Sequence, residues 1–195
     1  HLFYSSVHHV GMRADRDLFA MAQALGLKKE ADQLRGWILK STAAMPGLKG
    51  ADGLYRARDL TTGRSVEVLT AAAYLPMVAR SASLEDSRVM HGFLQACRAE
   101  GRLGGTTVDP DDASHAADKP WRGAVHPLMS RLMADGFASY GFRAEAIALR
   151  EETRDLIEAN GFAGCFEACA GKRLAEGKSV ETAAVWLSWC GAEEV

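Results

Sequence analysis

Apolar residues recur at helical spacing along nearly the whole chain. Leu18, Phe19, Ala22 and Leu25 line one stripe of a helix near residues 14–25, and Gly26 follows as a stop signal. Ala31, Leu34, Trp37, Ile38 and Leu39 carry a second helix after a turn of a few residues, and such short turns make neighbours antiparallel. Val89, Met90, Phe93, Leu94 and Cys97 form a third stripe. Ser83 stands as its N-cap, with Glu85 and Asp86 in the first turn, where negative charge suits the helix dipole. Further stripes run through Val125, Leu128, Met129, Leu132, Met133 and Phe137, and through Ala146, Leu149, Leu156 and Ile157. A last helix over about 179–190 carries Val180, Ala183, Ala184, Leu187 and Trp189.

Two stretches break this rhythm. Residues 53–68 hold β-type Leu54, Tyr55, Val66 and Val68 around a turn-like Thr61-Thr62-Gly63, which predicts a short hairpin. Residues 101–120 are polar and rich in Gly, Asp and Ala, and a loop that long is more often functional than idle. The expected fold is all-α: about seven helices in antiparallel hairpins with one short β-hairpin, forming a single domain over residues 1–195.

Composition narrows the class. At 195 residues, 21.0 kDa and 48% hydrophobic, the chain can bury a real core. A formal charge of −2 excludes a generally basic nucleic-acid binder, so no nucleic-acid partner is expected. No apolar run approaches the roughly 18–20 residues of a membrane span, and nothing resembles a signal peptide. The four cysteines, Cys97, Cys165, Cys169 and Cys190, are too sparse for a disulfide framework. Reduced thiols and a cytoplasmic setting follow as expectations.

Candidate chemistry is thin outside two segments. His8-His9 are adjacent and His91, His115 and His126 are scattered, so no pair has metal-ligand spacing. Cys165 and Cys169 lack a second pair of ligands. Neither a metal nor a cofactor is expected; buried thiols and surface histidines are the plainer reading. Asp109, Asp111 and Asp112 resemble half a calcium loop without its closing Glu, and read as a solvated acidic loop. No nucleophile elbow, P-loop or dinucleotide fingerprint is present. The cluster Arg150, Glu151, Glu152, Arg154 and Asp155 reads as a solvated helix face with local ion pairs. Residues 120–126, Pro-Trp-Arg-Gly-Ala-Val-His, close the long loop and open a helix. Trp121 offers a face for a sugar ring and Arg122 a fork for hydroxyls or a carboxylate. Taken alone, they also fit a core anchor and a surface charge. Residues 161–167 follow a long helix, and Glu167, between Phe166 and Ala168, is expected to be partly desolvated. A surface loop acid is its plainer reading.

Together these segments carry a family resemblance. Trp121-Arg122-Gly123-Ala124-Val125-His126-Pro127, then Gly136 and Tyr140-Gly141-Phe142, then Gly161-Phe162, resemble the C-terminal half of glycoside hydrolase family 63. The upstream Ala14-Asp15-Arg16-Asp17-Leu18, Gly53-Leu54-Tyr55 and Thr70-Ala71-Ala72-Ala73-Tyr74-Leu75-Pro76 look like family features too. The resemblance spans almost the whole chain. His126 stands where the family has Trp, and Ser130 where it often has Asn. Ala168, Cys169, Ala170 and Gly171 replace the Tyr-Tyr-Asp-Pro that follows the family's Glu, and Val180 and Glu181 replace the Ser-Trp before Thr182-Ala183-Ala184.

The resemblance implies the C-terminal part of an (α/α)6 barrel and an inverting α-glycosidase acting on a small α-glucoside or α-mannoside. Glu167 aligns with the general base. Trp121, Arg122, Gly123 and His126 align with the substrate-binding wall. The general acid has no counterpart here, since Asp15 and Asp17 sit in a structural helix. The chain starts at His1, in mid-pattern and without Met, so the expectation is a fragment or diverged relative, inactive alone, associating with a missing N-terminal half or with itself. A non-catalytic helical scaffold or partner-binding protein is the alternative. A different toroid enzyme, such as a trehalase-like hydrolase, would share the fold and the carboxylate.

Overall fold

The computed structural model describes residues 2–3, 5–99, 101–174 and 176–190. His1, where the chain starts, lies outside them. Among the described residues, the elements are β1 (Leu2–Phe3), α1 (Ser5–Ala24), α2 (Lys28–Ala44), β2 (Arg58–Asp59), α3 (Leu75–Val78), α4 (Leu84–Ala99), α5 (Pro127–Ser139), α6 (Arg143–Asn160) and α7 (Val180–Cys190). Single 3-10 turns at Met45–Leu48 and Ala71–Tyr74 link them. The all-α expectation of about seven helices holds.

The helix ends follow local chemistry. Gly26, at φ +70°, closes α1: its N–H donates to the Gln23 carbonyl at 3.1 Å and the Leu27 N–H to Ala22 at 2.9 Å. That double return is the Schellman motif, and it turns the chain straight into α2. At α4, Ser83 Oγ accepts the Asp86 N–H at 3.0 Å while Asp86 Oδ2 accepts the Ser83 N–H at 3.1 Å, a reciprocal capping box.

Several elements differ from the sequence-based expectation. Helix α1 starts at Ser5, well before residue 14, because its first turns bury His9 and Met12 rather than a run of aliphatics. In α2 only Ala31 and Leu34 are buried, while Trp37 and Leu39 face solvent. In α7 the buried face is Thr182, Val185 and Trp189, and Val180 and Leu187 lie outside. The hairpin turn at 59–64 forms, with Asp59 and Arg64 hydrogen-bonded at 2.9 Å, but β2 takes its ladder partner from β1, in antiparallel register Leu2 to Asp59.

The main core joins Met12 of α1, Tyr74 and Met77, Met90 and Leu94 of α4, Met133 and Phe137 of α5, Leu149 of α6 and Trp189 of α7. A second cluster, Val125, Leu156, Ile157, Ala163, Phe166 and Ala168, lies under the loops that carry the candidate site. Helix α2 packs on α1, α1 on α3, α3 on α5, and α5 on both α6 and α7. Among the described residues no helix is long and apolar enough to cross a membrane.

Asp86 binds this frame together. Beyond its capping role it accepts hydrogen bonds from Lys49 Nζ at 2.5 Å and the Tyr55 hydroxyl at 3.0 Å. Burial pushes its carboxyl up, but the bonds from Lys49, Ser83 and Tyr55 outweigh that and hold it below the usual range. Replacing Asp86 with Ala leaves Tyr55, Lys49 and the Ser83 N–H without this partner, and the expected loss is about 2–4 kcal/mol in urea denaturation. A loss under about half a kcal/mol, the range of an ordinary surface substitution, would contradict this role.

His9 is the opposite case. It is 1% exposed, edge-on to Tyr55 at 5.8 Å, and neither ring nitrogen has a hydrogen-bond partner. Burial, with the neighbouring His8 charge, pulls its pKa from 6.5 down to about 4. The unfolded chain therefore takes up this proton first as pH falls, so stability present above 6.5 is lost between 6.5 and about 4. The loss is about 3 kcal/mol. His9→Leu is expected to flatten that part of the stability–pH curve; an unchanged slope would contradict the assignment.

Candidate active site

The first part of the long loop is not a solvated excursion. Residues 104–108, Gly-Gly-Thr-Thr-Val, are buried between α4, α5 and α6. Glycine is required for that passage: a Cβ on Gly105 would lie 2.4 Å from Ser130 Oγ, and one on Gly104 3.0 Å from Leu94 Cδ1. Glu152 of α6 accepts the Gly104 N–H at 3.2 Å and pairs with Arg98 at 2.8 Å. The expectation of a wholly solvated acid-base face on α6 fails there, because this carboxylate anchors the loop.

From this buried stretch, isolated antiparallel bridges lace the segments together: Thr70 with Val108, Thr106 with Val125, Val125 with Phe166, and Phe166 with Arg173. Val125 and Phe166 exchange both backbone hydrogen bonds, at 2.8 and 2.9 Å. This exchange ties the 121–126 segment to the 161–167 segment.

The four residues of the 121–126 segment are placed as follows. Trp121 is 73% exposed, and its indole stacks on the His126 ring at 4.2 Å and 18°. His126 Nε2–H donates to the Pro120 carbonyl at 2.5 Å, which locks the stack and leaves the outer indole face open. Trp121 is thus a surface platform, not a core anchor. Arg122 is exposed, and its Nε–H donates to the Ser114 carbonyl at 2.9 Å. Gly123 is buried and donates its N–H to Thr107 Oγ1 at 3.0 Å.

Glu167 is half-buried, as its neighbours predict. Its carboxylate accepts the Cys169 N–H at 3.1 Å and the Ala170 N–H, closing the turn that Gly171 completes by donating to the Glu167 carbonyl at 3.0 Å. The Cys169 thiol also hydrogen-bonds this carboxylate. Partial burial, then the Glu167 charge and that bond, push the thiol up against the opposing Arg102 charge. None of Cys97, Cys165 and Cys169 forms a disulfide, and Cys97 and Cys165 are buried as expected.

Sequence reasoning missed His115. Its Nε2 is buried without a hydrogen-bond partner and lies 2.6 Å from where a Gly123 Cβ would stand. Burial and the Arg102 charge hold this imidazole below its ordinary range, against the pull of Asp109, Asp112 and Glu167. His9 is buried and His115 half-buried, so neither is the plain surface histidine expected. Nothing in the spacing of His115 marks it, since only the folded loop brings it to Gly123. Asp109 and Asp112 cap their own turns, accepting the Asp111 N–H at 3.0 Å and the Ser114 N–H at 2.7 Å. Among the described residues, no three His, Cys, Asp or Glu side chains gather to hold a metal.

Residues 4–193 match the mannosylglycerate hydrolase MGH1-like glycoside hydrolase domain. The chain belongs to that family. It is 28% identical over 178 residues to mannosylglycerate hydrolase MGH1 of Selaginella moellendorffii, covering 91% of this chain and 36% of that protein. It is 29% identical over 179 residues to mannosylglycerate hydrolase of Thermus thermophilus, covering 91% of this chain and 42% of the relative. A crystal structure of the family 63 mannosylglycerate hydrolase from Thermus thermophilus in complex with glucose superposes with a TM-score of 0.91 at 26% identity, over 97% of this chain and 48% of that one. The chain therefore spans less than half the length of these relatives. The resemblance drawn from residues 121–127, 136, 140–142 and 161–162 holds at the level of the family, and the helices belong to its (α/α)-type fold.

Gly123 offers a direct test of how this wall is built. A methyl group there would press on His115 Nε2 and on the Ala116 carbonyl oxygen at 2.8 Å, and backbone cannot yield cheaply. Gly123→Ala is expected to cost about 1–3 kcal/mol in thermal or urea unfolding and to disturb the Trp121 fluorescence. A neutral substitution would mean that the Gly123–His115 contact does not hold the segment.

Proposed function

We propose that this chain forms the C-terminal half of an inverting α-glycosidase domain whose substrate is a small α-glucoside or α-mannoside. In this reading Glu167 is the general base that activates water, and the general acid is not among these residues. Trp121 stacks on the sugar, His126 backs the indole, Arg122 reaches the hydroxyls, and Gly123 lets the wall approach Glu167. The partner is a small carbohydrate, as in the relative crystallised with glucose, and the setting is the cytoplasm. The observation that carries this reading is the Val125–Phe166 exchange, which runs the Trp121–His126 segment beside Glu167.

A second reading, a non-catalytic helical scaffold, is favoured by one specific observation. The Glu167 carboxylate is engaged by the Cys169 and Ala170 amides, and Arg122 by the Ser114 carbonyl. Each is then a structural tie.

Sugar binding and turnover separate the two. The isolated chain is expected to bind glucose or mannose saturably, with a change in tryptophan emission that Trp121→Ala removes. It is expected to release no sugar from an α-mannosyl or α-glucosyl glycerate above the buffer rate, since losing one of two cooperating groups costs several orders of magnitude. Absence of binding by the folded chain would favour the scaffold. Turnover abolished by Glu167→Gln would show that the missing acid is supplied within these residues.

A further inference from the structure

Three consecutive residues of the long loop clasp the step that follows Trp121. The Ser114 carbonyl accepts the Arg122 Nε–H at 2.9 Å, and the Ala116 N–H donates to the Arg122 carbonyl at 2.6 Å. Between them the ring of His115 packs on Gly123. Its Nε2 lies 2.6 Å from the place a Gly123 Cβ would take, so the imidazole fills the space that this glycine leaves. Asp112 presets the grip: its carboxylate accepts the Ser114 N–H and hydroxyl at 2.7 and 2.6 Å, and its carbonyl the His115 N–H at 2.9 Å. Gly123 is held in turn by its N–H bond to Thr107 Oγ1 at 3.0 Å.

The contact suits an uncharged ring. Nε2 is buried without a hydrogen-bond partner. A neutral imidazole can leave that nitrogen as an unused acceptor, whereas an imidazolium must donate from both nitrogens and would bury an unpaired charge. Charged groups from three segments act on the ring: Arg102 after α4, Asp109 and Asp112 in its own loop, and Glu167 before α7. Close by, Arg122 is engaged with the Ser114 carbonyl, Lys119 with Asp118, and His126 with the Trp121 ring. Burial and Arg102 hold the imidazole below its usual 6.5, against the pull of the three carboxylates. The contact is therefore made at neutral pH and lost as pH falls below 6.5 through that lowered value. The same carboxylates are the acceptors toward which a charged ring turns.

We propose that His115 is the positioning residue of the sugar-binding wall: uncharged, it wedges Gly123 and holds Trp121 and Arg122 in place, and protonated, it leaves Gly123 for the carboxylates and releases them. Sugar binding is then confined to neutral and alkaline solution. The proposal rests on the reading of residues 121–126 as a sugar wall, and it adds to that wall a group that itself touches no sugar.

Nuclear magnetic resonance on the 195-residue chain tests this without sugar. The His115 ring, the Gly123 amide and the Arg122 Nε–H are followed between about pH 8 and 5, the range in which histidine titrates. The His115 and Gly123 signals are expected to move together with one midpoint below 6.5. Below that midpoint the Arg122 Nε–H is expected to exchange with water faster than in His115→Gln, whose side chain is neutral at every pH. In that variant the Gly123 amide is expected to stay in place. His115→Phe, a ring without a charge, serves if the Gln variant misfolds. A Gly123 amide that does not titrate, or titrates equally in His115→Gln, overturns the proposal. So does a Gly123 shift with no change in Arg122 exchange, which would mark a field effect without release. Glucose binding, read by tryptophan emission, is expected to weaken about tenfold per pH unit below the His115 midpoint, and to lose this dependence in His115→Gln. Binding indifferent to pH while His115 titrates overturns the proposal as well. Should no sugar bind at any pH, the sugar-wall reading fails, and the Gly123 and Arg122 signals alone still decide whether His115 holds the segment.

Discussion

The pairing of Val125 with Phe166 is the constraint on which the candidate site depends. Two backbone hydrogen bonds join a loop between α4 and α5 to a loop between α6 and α7, far apart in sequence. The residues of the candidate site hang from one side or the other of that junction. Trp121, Arg122 and Gly123 lie just before Val125, and Glu167 just after Phe166. Both anchor residues are almost fully buried, so the junction is protected from water and held by the second core cluster. Backbone bonds made in such a setting are among the hardest to open.

The loop that feeds this junction is shaped by small residues more than by polar ones. Gly104 and Gly105 let the main chain press onto Leu94 and Ser130, and Gly123 lets His115 lie flat against the next pass. Threonines then replace the missing sheet: Thr107 donates its N–H to Ala124, accepts the Ala71 N–H and takes the Gly123 N–H on its hydroxyl. A short stretch of Gly and Thr, residues 104–107, therefore became buried scaffold. At the other side of the molecule Asp86 does comparable work with charge, tying Lys49, Tyr55 and the cap of α4 to one carboxylate.

Much of the fold was legible because helix periodicity and capping are local. The stripe Met90, Leu94 and Cys97, the Ser83 cap and the Gly26 stop all stand, since each is decided within a turn or two of chain. What the sequence hid was decided at long range. His8 and His9 looked polar, yet His9 is in the core; Glu152 looked solvated, yet it holds Gly104 from 48 residues away. The apolar residues of α7 read as one stripe, but the inward face turned out to be Thr182, Val185 and Trp189. Periodicity identifies an apolar face without saying which of two will be covered. The site was legible as two segments and not as a constellation, because bridges such as Val125–Phe166 have no signature in spacing.

Glu167 shows why a tied carboxylate is not by that fact a spent one. A carboxylate offers about four lone-pair sites. The amides of Cys169 and Ala170 occupy two of them and leave the others open. Both donors come from a turn closed by Gly171 and fastened through Phe166 to Val125. They fix the carboxylate relative to that turn, and a fixed orientation is what the proposed role of general base asks for. Capping and base catalysis are thus compatible in one side chain.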